Sequence, residues 1–188
     1  MTISHFRNRL VNALVKEEIP ENILTESDFE KLFVAPIAYK MAKFDKDIYL
    51  FSHPWNSGVA CEPNCESALK GNGERRAGCW KCWKASKQWA SIYAFGSQHN
   101  FDLVARDSKG GTLAVEIKLL KDSRGRLRSG EIQRFIGQCA LAAAKFDHTI
   151  GICGYLGSID SDFDRDTEEI KKWANKKGME IIFRDILE

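Results

Sequence analysis

Glu116 and Lys118 stand two apart in the apolar run LAVEIKLL, residues 113–120, and thirteen residues separate Asp102 from Glu116. Side chains two apart on a β-strand project from one face, and a paired strand can bring Asp102 beside them. Two carboxylates converging on one point suit a hard divalent cation, which takes oxygen ligands and keeps several waters. A lysine beside them can orient or deprotonate a water, or stabilise charge developing on a phosphate. That chemistry is phosphodiester hydrolysis. The plainer alternative is an alternating strand with Glu116 and Lys118 on its solvent face as a weak ion pair, because a charge inside so apolar a strand is otherwise costly.

Four of the six cysteines form two short-spaced pairs, Cys61-x₃-Cys65 and Cys79-x₂-Cys82, thirteen residues apart. Such pairs can close a tetrahedral thiolate site, which points to Zn²⁺. An iron–sulfur cluster on the same four cysteines is the competing reading. Residues 52–78 are rich in Gly, Pro, Asn and Cys, show no period and are too long for an ordinary connection. Bound metal would supply the order that apolar burial cannot. His53 and His99 could each replace a thiolate. Trp55, Trp80, Trp83 and Trp89 interleave with Lys81, Lys84 and Lys87, so the insertion could stack on bases and contact phosphates; packing of some of these tryptophans onto the main domain is the alternative. Cys139 and Cys153 lie in apolar settings and read as core residues.

The elements that must position these groups follow from periodicity. Residues 5–17 read as a helix with Phe6, Leu10, Ala13 and Leu14 on one face. Ser27 and Glu30 suit a capping box that opens a second helix, which Pro36 should kink or split. Residues 47–51 suit a strand and residues 80–94 a helix. From residue 99 the pattern is β-β-α-β-α-β. The strands are 99–107, 112–120, 148–156 and 179–183, and the helices are 131–146 and 162–177. A turn at Ser108-Lys109-Gly110-Gly111 joins the first two strands. Ile132, Phe135, Ile136, Cys139, Ala143 and Phe146 face inward on the first of these helices. Gly137, Ala140 and Ala144 would let it approach the sheet.

The segment Phe-Asp-Leu-Val-Ala, then Val-Glu-Ile-Lys, then a helix carrying Gln133, resembles the PD-(D/E)xK nuclease superfamily over about residues 99–156. The family's leading Pro is absent, since Asn100-Phe101 precedes Asp102. The resemblance implies a restriction-endonuclease-like α/β core, a central mixed sheet flanked by helices, in one domain over residues 1–188. The four-cysteine insertion would occupy residues 52–90. It implies that Asp102 and Glu116 bind Mg²⁺ or Mn²⁺, that Lys118 assists the attacking water, and that the substrate is DNA, with RNA as an alternative. Family members often add a Glu from the first core helix. Glu30 is the candidate, with the cap as its other reading, and Glu26 and Glu17 are weaker ones. Gln133 matches by position a glutamine that some members use. A non-catalytic binding or interaction domain that keeps the fold and the zinc module is the alternative function.

The chain of 188 residues has 44% hydrophobic and 29% charged residues, values of an ordinary globular protein. It has no apolar run of the ~20 residues a membrane span needs. The N-terminus lacks a signal-peptide pattern, so a cytoplasmic protein without a membrane partner is expected, and a homodimer stays open. The formal net charge of +2 is unevenly spread. Residues 67–90 carry net +5, residues 117–134 net +4 and residues 160–169 net −5. Lys81, Lys84, Lys121, Arg124, Arg126, Arg128 and Arg134 are the expected phosphate contacts. The acidic run 160–169 lacks the Gly and Glu of a calcium loop and suits a helix N-terminus instead.

Overall fold

A computed structural model describes residues 1–43, 45, 47–52, 91–94, 96–121, 129–157 and 161–186. The four paired cysteines, His53, the insertion's tryptophans and lysines, and the loop with Arg124, Arg126 and Arg128 lie outside these residues. So does the expected helix over residues 80–90.

Lys118 and Glu116 sit on the middle strand of a five-stranded mixed sheet. That strand, β5 (Thr112–Lys121), pairs antiparallel with β4 (Leu103–Asp107), which pairs antiparallel with β1 (Ile48–Ser52). On its other side β5 runs parallel to β6 (His148–Leu156), and β6 parallel to β7 (Met179–Asp185). Parallel neighbours need a crossover. Helix α4 (Ser129–Ala143) lies between β5 and β6 in sequence, and α5 (Ser161–Lys176) lies between β6 and β7. This is an α/β architecture with helices on both faces of the sheet.

Alternation along β5 divides the two cores. Leu113, Val115, Ile117 and Leu119 pack with Phe6, Leu10 and Leu14 of α1 (Ile3–Lys16) and with Phe29 and Phe33. Leu120 points the opposite way, among Phe135 and Cys139 of α4, Cys153, and Met179 and Ile181. Ala114, Glu116 and Lys118 share that second face by their even spacing. Arg184 of β7 ties α1 to the sheet by donating to the Leu14 carbonyl and, at 2.8 Å, to the Glu17 carbonyl. These are free carbonyls at the helix C-terminus.

The second helical region departs from expectation. Its capping box is Thr25 with Asp28, two residues before the Ser27–Glu30 pair that the sequence suggests. Thr25 Oγ1 accepts from the Asp28 N–H at 3.1 Å, and Asp28 Oδ2 accepts from the Thr25 N–H at 2.9 Å. A short α turn, α2 (Glu26–Asp28), passes into a π-helical stretch, Phe29–Val34, and then into α3 (Ala35–Lys43). The Ala35 N–H donates to the Glu30 carbonyl, one residue further back than in an α-helix. The wide turn comes immediately before Pro36, whose ring and missing N–H disfavour a regular turn over Leu32. The helix therefore widens where a kink is expected, and Glu30 lies inside it, buried.

Two further expectations are corrected. Residues 91–94, expected to be helical, form β2 (Ser91–Ala94), which pairs antiparallel with β3 (Ser97–Asn100) in a separate two-stranded sheet. The single strand expected over 99–107 is thus broken at Phe101-Asp102 into β3 and β4. Gly137, Ala140 and Ala144 face solvent and do not seat α4. The close approach comes from the sheet, at Gly151 of β6, where a Cβ would lie 2.6 Å from Cys139 Sγ and 2.8 Å from Phe135 Cζ. Among the described residues no helix is long and apolar enough to cross a membrane.

Candidate active site at the end of a short strand

β4 begins at Leu103, opposite Val115, while β5 continues to Lys121. Past Val115, β5 therefore has no strand on its β4 side among the described residues, and its N–H groups there need other partners. Two carboxylates supply them. Asp102 Oδ2 accepts from the Ile117 N–H at 2.8 Å, and Glu26 Oε2 accepts from the Leu119 N–H at 3.3 Å. A notch in the sheet is thus lined by acids from two different elements. Asp102 reaches it from the bend before β4, and Glu26 from the first turn of α2.

The residues of β5 complete it. Glu116 is buried, with 2% of its side chain exposed, and Lys118 is largely buried. The solvent-face alternative for this pair is therefore overturned, and the two do not pair with each other. Lys118 Nζ lies 2.8 Å from Glu26 Oε2. Glu116 Oε1 lies 3.6 Å from Nε2 of His99 on β3, and makes no hydrogen bond among the described residues. His99 packs edge-on against Phe101, with ring centroids 5.0 Å apart, and Phe101 packs the same way on Phe146.

These placements crowd negative charge in a poorly solvated corner. Burial, and then the neighbouring Glu116 charge, push the Asp102 carboxyl well above the usual range, and Glu30 and Glu26 push the same way; the Ile117 N–H opposes them. Burial also raises Glu116, with His99 pulling it back. The Glu116 carboxylate in turn raises His99. Carboxylates this strained by burial and like charge are a setting for a cation. Among the described residues no group of three or more His, Cys, Asp and Glu side chains is arranged to hold a metal ion. An open site fits Mg²⁺, which is bound through one or two carboxylates, with waters and substrate phosphates completing its shell.

The structure brings Asp102, Glu116, Lys118 and Glu30 to this one end of the sheet. It does not bring Gln133 there as a buried group: Gln133 is exposed on α4. Arg134 is exposed beside it, and Lys121 is exposed at the end of β5. Glu26, a weaker candidate than Glu30 in the sequence, is the acid that the structure places on Lys118 and the Leu119 N–H. Its spacing of four from Glu30, which puts both on one side of a helix, was the available signal. His99, weighed as a zinc-site ligand, is against Glu116 instead. No family model, curated protein or solved structure matches this chain.

Proposed function

We propose that the chain is a metal-dependent nuclease with a restriction-endonuclease-like core, hydrolysing phosphodiester bonds of DNA. The observation that carries this reading is the notch itself. A buried Glu116 whose Oε1 has no hydrogen-bond partner among the described residues, and an Asp102 carboxyl raised by burial and then by the Glu116 charge, sit beside a lysine held in place by a third carboxylate. The donor set fits a hard divalent cation, with Asp102 and Glu116 as the protein ligands.

When bound, that cation would supply polarisation of the scissile phosphate and a more acidic water. The chain's own residues do the rest. Asp102 is oriented by the Ile117 N–H, so its position is fixed by the β5 backbone. Lys118 is aimed by Glu26, which is itself anchored on the Leu119 N–H. The ammonium can then hold a water for in-line attack or stabilise the charge developing on the phosphate. Glu30 adds negative charge from the π turn. Lys121 and Arg134, with the basic loop over residues 122–128, supply cations for the phosphate backbone. The four-cysteine segment supports a Zn²⁺ module on its spacing alone, with iron–sulfur as the alternative.

The test is cleavage of supercoiled plasmid, single-stranded DNA and RNA by the wild-type chain with Mg²⁺ or Mn²⁺, against an EDTA control. Metal-dependent cleavage of either DNA is expected. Cleavage of RNA alone would move the substrate class. No cleavage of any substrate with either metal would favour a non-catalytic binding domain.

A further inference from the structure

We propose that His99 is a metal ligand of the notch, joining Glu116, and that it turns the site's preference from Mg²⁺ toward Mn²⁺. The inference rests on the metal-dependent reading above and names which cation that site prefers.

Its basis is the relation between two buried atoms. Glu116 Oε1 and His99 Nε2 face each other at 3.6 Å, and neither makes a hydrogen bond among the described residues. A charge-assisted N–H···O bond closes to about 2.7–2.9 Å, so this gap is too long for one. Buried polar atoms of this kind are normally paired, and an exception calls for an explanation. Two donors that each stand about 2.1 Å from a shared ion lie roughly 3 to 4 Å apart, which brackets the observed gap.

The imidazole is also held for the task. His99 sits on β3, which the β2–β3 turn at Gly96 (φ 78°) folds back on its partner strand. Its ring is pinned edge-on by Phe101, and Phe101 by Phe146 at the end of the segment following α4. Those contacts fix the direction of Nε2 without using it. Imidazole nitrogen is a poor ligand for Mg²⁺ and a better one for transition metals. One nitrogen added to a carboxylate-and-water set gives mixed coordination that Mn²⁺ accepts and Mg²⁺ resists.

The test is Mn²⁺ binding to the full chain without nucleic acid, read by electron paramagnetic resonance with electron-spin-echo detection of nitrogen coupling. The wild type should show ¹⁴N modulation from a bound imidazole. His99→Gln should lose it, and its Mn²⁺ affinity should fall roughly ten- to a hundred-fold, with Mg²⁺ affinity changing by less than about threefold. Glu116→Gln should weaken both metals. A circular dichroism melt of each variant shows that it is folded, and the wild-type nitrogen signal is readable even where a variant is not. Absence of ¹⁴N modulation in Mn²⁺-loaded wild type, or its persistence in His99→Gln, would overturn the proposal and leave His99–Glu116 as an ion pair. Failure of the nuclease reading has a different signature: Mn²⁺ binds with nitrogen coupling, but no substrate is cut.

Discussion

Glu26, Lys118 and Asp102 show how much of the notch depends on single hydrogen bonds. Glu26 uses one oxygen both to hold Lys118 and to satisfy the Leu119 N–H. Glu26→Ala should therefore leave Lys118 without its partner and a β5 donor without an acceptor. The expected outcome is a loss of about 1–2 kcal/mol in denaturant unfolding and at least a tenfold fall in cleavage. Glu26→Gln, which keeps an acceptor for Leu119 but not the charge, should restore most of the stability and little of the activity. A variant with lost stability and undiminished cleavage would show that the aim of Lys118 does not matter. The pairing of Glu116 with Lys118 on one face was legible in sequence because strand alternation is strict, and the hairpin turn after Asp107 indicated that Asp102 could return beside them. Glu26 was less so: its spacing from Glu30 hinted at a shared helix side, but its contact with the Leu119 N–H depends on where β4 begins, a tertiary fact.

At the scale of elements, the turn that joins β4 to β5 sets the register of the whole site. Asp107 accepts N–H bonds from Lys109 at 2.9 Å and Gly111 at 2.8 Å, and from Ile3 at the start of α1 at 2.8 Å. Burial pushes this carboxyl up, but the three donors outweigh it and hold it below the ordinary value of 3.8. A carboxyl depressed in the folded state adds stability that is present above its unfolded pKa and is lost as pH falls through the folded one. Wild type should thus lose this contribution only below about pH 4. Asp107→Asn should be less stable at neutral pH by roughly 1–3 kcal/mol and lose less than wild type on acidification. Urea melts at pH 7 and pH 3 check this, and parallel losses in both proteins would contradict it.

Gly151 is the second element-scale test. A Cβ there would sit 2.6 Å from Cys139 Sγ, 2.7 Å from Ile181 Cδ1 and 2.8 Å from Phe135 Cζ. Gly151→Ala should lift α4 from the sheet and cost roughly 1–3 kcal/mol, read as a lower melting temperature. An unchanged melting temperature would mean that α4 is not seated there. The elements themselves were largely legible. β6 falls over 148–156 as its apolar run indicates, and α5 lies within a residue of its acidic start. The misreadings have physical causes. The π turn before Pro36 changes which residue caps the helix and which is buried. The break at Phe101-Asp102 is set by the edge of the sheet, and it separates His99 on β3 from β4.

For the molecule as a whole, exposed charge of both signs lies around the helical layer. Lys121 is exposed at the end of β5 and Arg134 on α4, while Asp166 and Glu169 of α5 line a hollow with Ile136 of α4. The net charge of +2 therefore says little about any one surface. If Lys121 and Arg134 meet phosphates, DNA affinity should fall steeply with salt, by counterion release. Arg134→Ala should weaken binding evenly across sequences and lower the log–log salt slope by about 1. Fluorescence anisotropy between 50 and 200 mM salt reads this, and an unchanged slope would remove Arg134 from the interface.

If the notch of Asp102, Glu116 and Lys118 is a working centre and not a buried charge cluster, its lysine must matter to the rate. Plasmid nicking with Mn²⁺ and with Mg²⁺ by wild type and by Lys118→Ala, matched for folding by circular dichroism, tests this most directly. Lys118→Ala should lose at least about a hundredfold of the wild-type rate, within the range expected when a proton-handling or charge-stabilising group is removed. Equal rates for the two proteins would contradict it and place the chemistry elsewhere in the chain.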